Sequence, residues 1–221
     1  MITVHHLNNS RSQRILWLLE ELGLEYDIKY YERDPETMLA PDALRKVHPL
    51  GKSPVITDGD FTLAESGAIT EYLVDRYGNG RLVPPANTPE RLRYTYWLHY
   101  AEGSAMPPLV MKLVFGQVKE KTPFLLRPLA GAIVDKARSS YIDPQIKLHL
   151  DYMESTLEDS QWFAGSEFTA ADVQMSFPVE AAAAESLGAS RPKLRDFLSR
   201  IHARPAYKKA LDRGGEYQVM S

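Results

Sequence analysis

Two short motifs in the first third of the chain combine residues that could bind a small acidic peptide. The first is the run His48-Pro-Leu-Gly-Lys-Ser-Pro54-Val-Ile56, in which Pro54 precedes an apolar strand. If the Ser53–Pro54 bond is cis, the backbone of Ser53 is turned outward and can pair with a peptide-like ligand. The second is Glu65-Ser66-Gly67, where helix-start N–H groups beside a hydroxyl can bind a carboxylate. A structural turn and an ordinary helix cap are the alternative interpretation of these motifs.

Composition limits the function classes that the chain can serve. It has 221 residues, a net charge of −3 and no cysteine. That charge gives no basic field, so we expect no nucleic-acid partner. Without cysteine the chain forms no disulfide, thiolate metal site or cysteine nucleophile, so any thiol chemistry must use the sulfur of a ligand. No apolar run reaches ~18 residues and the start Met1-Ile-Thr-Val has no signal-like core, so we expect a cytoplasmic protein without a membrane partner.

Hydrophobic periodicity predicts an α/β module over residues 1–80, with the element order βαβ–α–ββα. Apolar residues at helical spacing predict the first helix, and Gly23 is placed to end it. The run Thr57-Asp-Gly-Asp60 predicts a tight hairpin. The predicted elements are strands at 2–7, 26–30, 55–56 and 61–64, and helices at 12–22, 41–47 and 69–77.

A linker and an all-helical module follow. Residues 81–89 hold three prolines and predict the linker, which leaves residues 90–221 for the second domain. There we find no convincing strand and expect helices at 90–118, interrupted at Pro107–Pro108, at about 130–159, at 170–187 and, as the last, at 192–203. Thr169 is expected to cap a helix with Asp172 three residues on, a variant of the capping box that serves folding.

The order and spacing of these features resemble the cytosolic glutathione transferases, in particular a serine-type-like bacterial and fungal branch. The resemblance covers nearly the whole chain. It rests on the runs Gly51-Lys-Ser-Pro54-Val-Ile, Leu63-Ala-Glu-Ser-Gly-Ala68-Ile, Phe168-Thr-Ala-Ala-Asp172, His5-His-Leu-Asn-Asn-Ser-Arg-Ser-Gln-Arg14 and Tyr100-Ala-Glu-Gly-Ser-Ala-Met-Pro-Pro108. It implies a thioredoxin-like N-terminal domain that binds glutathione and an all-α C-terminal domain with an electrophile pocket.

The resemblance also implies a function and an assembly. The expected activity is to bind glutathione as co-substrate, stabilise its thiolate and add it to small hydrophobic electrophiles, as a homodimer. Two alternatives use the same site: a glutathione-dependent peroxidase or disulfide reductase, and a non-catalytic binding protein for glutathione conjugates.

The family's binding roles fall on matching positions of this chain. Ser66 and the helix-start N–H groups would bind the γ-glutamyl carboxylate, and Glu65 would bind the ammonium group. The backbone of Ser53, held before Pro54, would pair with the cysteinyl amide groups. Lys52 would meet the glycyl carboxylate as a point charge.

The resemblance places the residue that activates the thiol between the first strand and the first helix, in the loop Asn8-Asn9-Ser10-Arg11-Ser12. A hydrogen-bond donor there would lower the thiol pKa from its ordinary ~8.5. We expect Ser10 to be the hydroxyl donor, with Asn9 as an alternative amide donor. Ser12 is better interpreted as the N-cap of the first helix.

Other side chains carry weaker expectations. Tyr100 and Met106 are predicted to line the electrophile pocket. Glu102 could reach the glutathione ammonium of a partner subunit, or could be a solvated helix charge. His5 and His6 are interpreted as core or edge histidines of the first strand. The three histidines of the helical domain are interpreted as having no carboxylate partner at ligand spacing, so no metal is expected.

Overall fold

The computed structural model describes residues 1–183, 187 and 190–218. Its first part is a four-stranded sheet with three helices. Strand β1 is parallel to β2 and antiparallel to β3, β4 is antiparallel to β3, and the order across the sheet is β2-β1-β3-β4. This confirms the predicted βαβ–α–ββα arrangement. The elements are β1 (Ile2–Leu7), α1 (Ser12–Leu22), β2 (Tyr26–Tyr31), α2 (Asp42–Arg45), β3 (Val55–Asp58), β4 (Phe61–Ala64) and α3 (Ser66–Tyr77).

In the second part, the regular elements among the described residues are all helices, apart from an isolated bridge between Trp162 and Gly165. Its helices are α4 (Pro89–Tyr100), α5 (Met106–Lys121), α6 (Arg127–Ala137), α7 (Asp143–Asp159), α8 (Ala170–Ala183), α9 (Pro192–Ala203) and α10 (Pro205–Gly214). Two π-helical turns, Ala101–Ala105 and Arg138–Ile142, and a 3₁₀ turn, Phe124–Leu126, join some of them. The domain limits at residues 80 and 90 stay a prediction.

Two expectations about the helices are wrong. Pro107–Pro108 do not interrupt the helical path, because they lie in the first turn of α5, where their missing N–H groups have no intrahelical acceptor. The helix at 192–203 is not the last, because α10 follows with Pro205 in its first turn. The predicted end of α8 at residue 187 falls partly outside the described residues.

Helix α1 is the element around which both domains pack. Most of its residues are buried, including the polar Gln13 and Arg14, and it contacts β1, α3, α8 and α10. Gly23 ends the helix in the left-handed conformation, with φ of 66°, as predicted. The loop before α1 and the polar face of α1 therefore lie at the junction of the two domains.

The predicted cap of α8 is confirmed. The Thr169 backbone N–H donates to a carboxylate oxygen of Asp172 at 2.8 Å, and the Phe163 N–H donates to the other at 2.9 Å. The Ala170 N–H donates to the Leu82 carbonyl at 2.8 Å, so the start of α8 also holds the linker. This region positions the domains and lies apart from the site described below.

Within the described ranges, no helix is both long and apolar enough to cross a membrane. The same part of the chain holds no group of three or more His, Asp and Glu side chains that could bind a metal ion.

Candidate active site

A polar cavity of about 210 Å³ lies where the loop before α1, the segment before β3 and the start of α3 meet the helical domain. It brings together all five residues that the sequence predicts to bind a ligand. The residues that line it are Arg11, His48, Leu50, Lys52, Ser53, Pro54, Ala64, Glu65, Ser66 and Glu102.

A second cavity of about 180 Å³ adjoins the first and shares with it Arg11, Leu50, Lys52 and Ser53. Ser10 lies in its wall. Together the two cavities exceed ~300 Å³, the lower end of the size range of small-molecule sites. A larger cavity of about 460 Å³ lies behind the linker, away from these polar groups, and we assign it no chemistry.

The segment before β3 has the backbone form that the sequence suggested. The Ser53–Pro54 peptide bond is cis, Pro54 is buried at the start of β3, and Lys52 is exposed at the rim. His48 contributes a buried Nδ1 that has no hydrogen-bond partner among the described residues. A buried polar atom without a partner costs free energy, so this nitrogen is suited to meet a polar group of a ligand.

The junction of β4 and α3 forms the opposite wall. Glu65 is exposed and has φ of 70° and ψ of 116°, a conformation that a residue with a side chain rarely adopts and that functional sites often hold. The Ser66 hydroxyl is buried and accepts hydrogen bonds from the Arg14 guanidinium at 2.7 Å and the Gln174 amide at 3.1 Å. Both lone pairs of that oxygen are therefore used, and its own proton is free to donate to a ligand.

Arg14 joins this wall to the helical domain. Its side chain is about 1% exposed and donates to the Gln174 carbonyl at 2.6 Å, to Ser66 and to Glu102. Arg11 also donates to Glu102, at 2.9 Å. Burial lowers the pKa of Arg14 and would raise that of Glu102, but the charges of Arg14 and Arg11 hold the pKa of Glu102 below its ordinary value.

Glu102 thus corrects a sequence expectation. It is not a solvated helix charge, because its carboxylate binds Arg11 and Arg14 of its own chain. That it reaches the glutathione of a partner subunit stays a prediction. Sequence reasoning also missed Arg14. The available signal was its position directly beside Ile15 and one turn before Leu18, on the apolar stripe of α1.

The two candidates for thiol activation in the loop before α1, Ser10 and Asn9, differ in burial and in contacts. Ser10 is buried, and its hydroxyl oxygen lies 3.4 Å from that of Ser53 and 2.8 Å from that of Ser12. Asn9 is exposed, and its side-chain oxygen accepts the backbone N–H of Gln218 at 2.8 Å. The expectation that Ser12 is the N-cap is wrong: Ser12 is the first residue of α1, and its N–H donates to the Ser10 hydroxyl oxygen at 3.2 Å.

The structure does not bring Tyr100 and Met106 to either of these cavities. Both are buried in the helical domain, and the Tyr100 hydroxyl contacts Nδ1 of His149 at 2.5 Å. Their role in the electrophile pocket stays a prediction. Phe177 of α8 places its ring 4.9 Å from the Arg11 guanidinium, and Leu50 is the large apolar side chain that lines both cavities.

The fold and the site together define a class of protein: a thioredoxin-like domain with a peptide-binding cleft, followed by a helical domain that completes the cleft. Two family models match the chain, "Glutathione S-transferase, N-terminal domain" over residues 10–76 and "Glutathione S-transferase, C-terminal domain" over residues 118–205. The chain therefore belongs to the cytosolic glutathione transferase family.

Individual relatives agree with this assignment. The chain is 38% identical to glutathione S-transferase 3 of Schizosaccharomyces pombe, over 96% of this chain and 88% of that protein. A glutathione S-transferase from Actinobacillus pleuropneumoniae, known from a crystal structure, is 34% identical in sequence to this chain. The two structures align with a TM-score of 0.81 over 100% of this chain and 95% of that one. A glutathione transferase of Phanerochaete chrysosporium, solved in complex with oxidized glutathione, is 26% identical with a TM-score of 0.75 and covers 96% of both chains. The protein is an enzyme with glutathione S-transferase activity, and glutathione is its thiol substrate.

Replacing Glu102 with glutamine should lower the free energy of unfolding at neutral pH by about 2 kcal/mol, because the buried Arg14 loses its charged partner. The lowered pKa of Glu102 means that its contribution is present above the ordinary carboxyl pKa and is lost as pH falls through the folded-state value. Denaturant titrations at neutral pH and at about pH 3 should therefore show a difference from the wild type that shrinks on acidification.

The matched control is Glu158→Gln, at an exposed position of α7, which should change the free energy of unfolding by less than about 0.5 kcal/mol. A Glu102→Gln effect that is equal at both pH values would contradict the ion-pair account.

Proposed function

We propose that the enzyme binds glutathione across the two adjoining cavities, with the thiol beside Ser10, and adds the thiolate to small hydrophobic electrophiles. The observation that carries this proposal is the convergence of Lys52, Ser53, Glu65 and Ser66 on one cavity with Ser10 in the adjoining wall. These groups match the charges of glutathione, which has two carboxylates, an ammonium group and a thiol.

The γ-glutamyl end is assigned to the start of α3. The Ser66 proton, left free by the bonds from Arg14 and Gln174, supports donation to the α-carboxylate, together with the helix-start N–H groups. Glu65 is exposed at the same wall and carries the charge that an ammonium group requires. The buried Arg14 adds positive charge behind Ser66.

The remainder of the tripeptide is assigned to the segment before β3. The Ser53 backbone, preceding the cis bond to Pro54, is placed to pair with the cysteinyl amide groups. Lys52 would bind the glycyl carboxylate as a point charge, and the unpartnered Nδ1 of His48 supports a further polar contact.

Ser10 is favoured over Asn9 as the thiol activator. Ser10 lies in the cavity wall and near Ser53, whereas Asn9 is exposed and is not among the residues that line either cavity. A hydroxyl donor beside the sulfur favours the thiolate and lowers the thiol pKa.

A second activity on the same site is the reduction of peroxides or disulfides. The complex of the Phanerochaete chrysosporium relative with oxidized glutathione supports a cleft of this type that accommodates a disulfide. Because the chain has no cysteine, the sulfur exchanged would come from glutathione alone, without an enzyme-bound mixed disulfide. Non-catalytic binding of glutathione conjugates would need the same contacts without thiol activation.

We also propose a homodimer in the cytoplasm, without nucleic-acid partners, membrane association or a metal. The dimer follows from the family and is supported by exposed apolar side chains of Phe61 on β4 and of Leu92 and Tyr96 on α4. Sedimentation equilibrium at micromolar concentration should give twice the 25.0 kDa of one chain. A mass equal to one chain would exclude the dimer.

Ser66→Ala should weaken glutathione binding by roughly ten- to a hundredfold, because a hydrogen bond to a charged group contributes about 1.5–3 kcal/mol. Calorimetry with reduced glutathione measures this directly. Thr62→Ala, an exposed residue of β4, is the control and should bind as the wild type does. If Ser66→Ala binds glutathione with unchanged affinity, Ser66 does not bind the γ-glutamyl carboxylate.

Ser10→Ala should raise the pKa of the bound thiol and lower turnover, while glutathione affinity stays nearly constant because other groups hold the peptide. Asn9→Ala should have the smaller effect on turnover. Thiolate absorbance of the bound peptide against pH, together with steady-state kinetics, distinguishes the two variants. If Asn9→Ala lowers turnover and raises the thiol pKa while Ser10→Ala changes neither, the Asn9 amide is the activator.

A further inference from the structure

One wall of the second cavity has no role in the proposed function. It is formed by the loop between β2 and α2, which brings Arg33, Met38 and Leu39 to the cavity that Ser10 and Arg11 also line. The side chains of Met38 and Leu39 are about half exposed. This wall therefore presents apolar groups and a guanidinium in the same cavity as the serine proposed to meet the sulfur.

The charges around this cavity do not balance. Among the described residues that line it, none is acidic and four are basic: Arg11, Arg33, Arg45 and Lys52. Arg11 pairs with Glu102 at 2.9 Å, Arg45 lies 3.8 Å from Asp42, and Lys52 is assigned above to the glycyl carboxylate. Arg33 is the remaining cation, and it forms no ion pair with any described residue.

The acidic residue that follows Arg33 in the chain is used inside the loop. The Asp34 carboxylate accepts the backbone N–H of Thr37 at 2.7 Å and that of Glu36 at 3.0 Å. The Met38 N–H donates to the Asp34 carbonyl at 2.8 Å, which closes the turn. These bonds shape the loop and leave the positive charge of Arg33 without a counter-charge.

Two backbone carbonyls hold the Arg33 guanidinium beside the active-site loop. Its Nη1 donates to the Met38 carbonyl at 3.1 Å, and its Nη2 lies 3.4 Å from the carbonyl oxygen of Asn9, the residue before Ser10. Its other three N–H groups have no acceptor among the described residues, so they can still bind a planar anion.

The position of Arg33 is costly without a ligand. The side chain is half-buried, and burial together with the nearby charge of Arg11 lowers the pKa of Arg33. A desolvated cation that faces a second cation is unfavourable unless an anion joins them. The cavity is therefore suited to a ligand that brings negative charge to Arg33.

We propose that Arg33 binds an anionic group of the electrophile, so that the preferred electrophiles carry a carboxylate on a small apolar body. The carboxylate meets the remaining N–H groups of Arg33, with the charge of Arg11 nearby, and the apolar body contacts Met38, Leu39 and Leu50. The inference names the substrate class of the site described under the proposed function and rests on that function.

The glycyl carboxylate of glutathione is the other anion that Arg33 could bind, and the two assignments predict different losses. A glycyl contact would make reduced glutathione itself bind more weakly when Arg33 is replaced. A contact to the electrophile affects only ligands that carry a further negative charge beyond the sulfur.

The direct test is calorimetry of the full-length protein with S-substituted glutathiones. The meta and para isomers of S-(carboxybenzyl)glutathione place a carboxylate at two distances from the sulfur, and their carbamoyl analogues replace it with a neutral amide. At least one carboxylate ligand should bind about tenfold more tightly than its amide. Equal affinities of acid and amide at both positions would overturn the inference.

Variants of Arg33 assign this preference to one side chain. Arg33→Gln should abolish the difference between acid and amide, with the affinity for reduced glutathione within about twofold of the wild type. Arg33→Lys keeps the charge without the planar fork and should retain part of the difference. The control is Lys46→Gln, an exposed position after α2 that lines neither cavity. It should keep the full difference, and its loss there would show a general charge effect instead of a contact to Arg33.

Turnover should show the same selectivity. The probes are the meta and para (chloromethyl)benzoates and the corresponding benzamides, from which the thiolate displaces chloride. With kcat/KM divided by the uncatalysed rate constant, the wild type should favour the benzoate at the position that binding selects, and Arg33→Gln should lower this preference about tenfold. An Arg33→Gln variant that keeps the wild-type preference would contradict the inference.

The outcomes separate the inference from its foundation. If Arg33→Gln weakens the binding of reduced glutathione about tenfold, Arg33 belongs to the peptide site, and the inference is wrong while the proposed function stands. If Ser66→Ala keeps the wild-type affinity for reduced glutathione, the proposed binding mode is wrong whatever Arg33 binds.

Discussion

The buried guanidinium of Arg14 is the constraint on which the site depends. A charge in a protein interior is tolerated only when it is paired and hydrogen-bonded, and the partners of Arg14 come from three separate elements. Ser66 starts α3 in the first domain, Gln174 lies on α8, and Glu102 lies in the π-helical turn after α4. Satisfying one charge therefore fixes the orientation of the two domains at the place where the cavity opens.

This constraint also divides the chemistry between two sides of the cleft. Arg14 and Gln174 occupy the acceptor sites of Ser66, which leaves that hydroxyl as a donor on the wall proposed to bind the peptide. The Asn9–Ser10 loop, on the other side, is held by α1 and by the C-terminal residues that follow α10. In the proposed function, peptide binding and thiol activation are thus assigned to different elements, so a variant of one is expected to leave the other in place.

The local features of the fold could be predicted because they are encoded over short distances. Alternating apolar residues identified the strands, helical spacing identified α1, and the Thr169–Asp172 pair identified the start of α8. The same short-range reasoning failed at Pro107–Pro108, which it interpreted as an interruption although they lie in the first turn of α5, and it missed α10. Ser53 and Ser66 could be predicted from the sequence because each lies where a local element begins, β3 and α3 respectively.

Contacts between distant segments could not be predicted in this way. Arg14 and Glu102 are 88 positions apart, and nothing in either local pattern indicates that they meet. His6 and Ser12 are only six positions apart, yet their contact depends on the packing of α1 against β1, which the local pattern of the loop does not indicate. Tyr100 and Met106 lie near Glu102 in sequence, yet helical geometry turns them into the core.

A crystal structure of the protein with reduced glutathione tests the central claim most directly. The account predicts the γ-glutamyl carboxylate at the Ser66 hydroxyl, with Arg14 still bonded to that oxygen and to Glu102, and the sulfur within hydrogen-bond distance of the Ser10 hydroxyl. A tripeptide bound away from Ser66, or a sulfur beyond hydrogen-bond reach of Ser10, would contradict it.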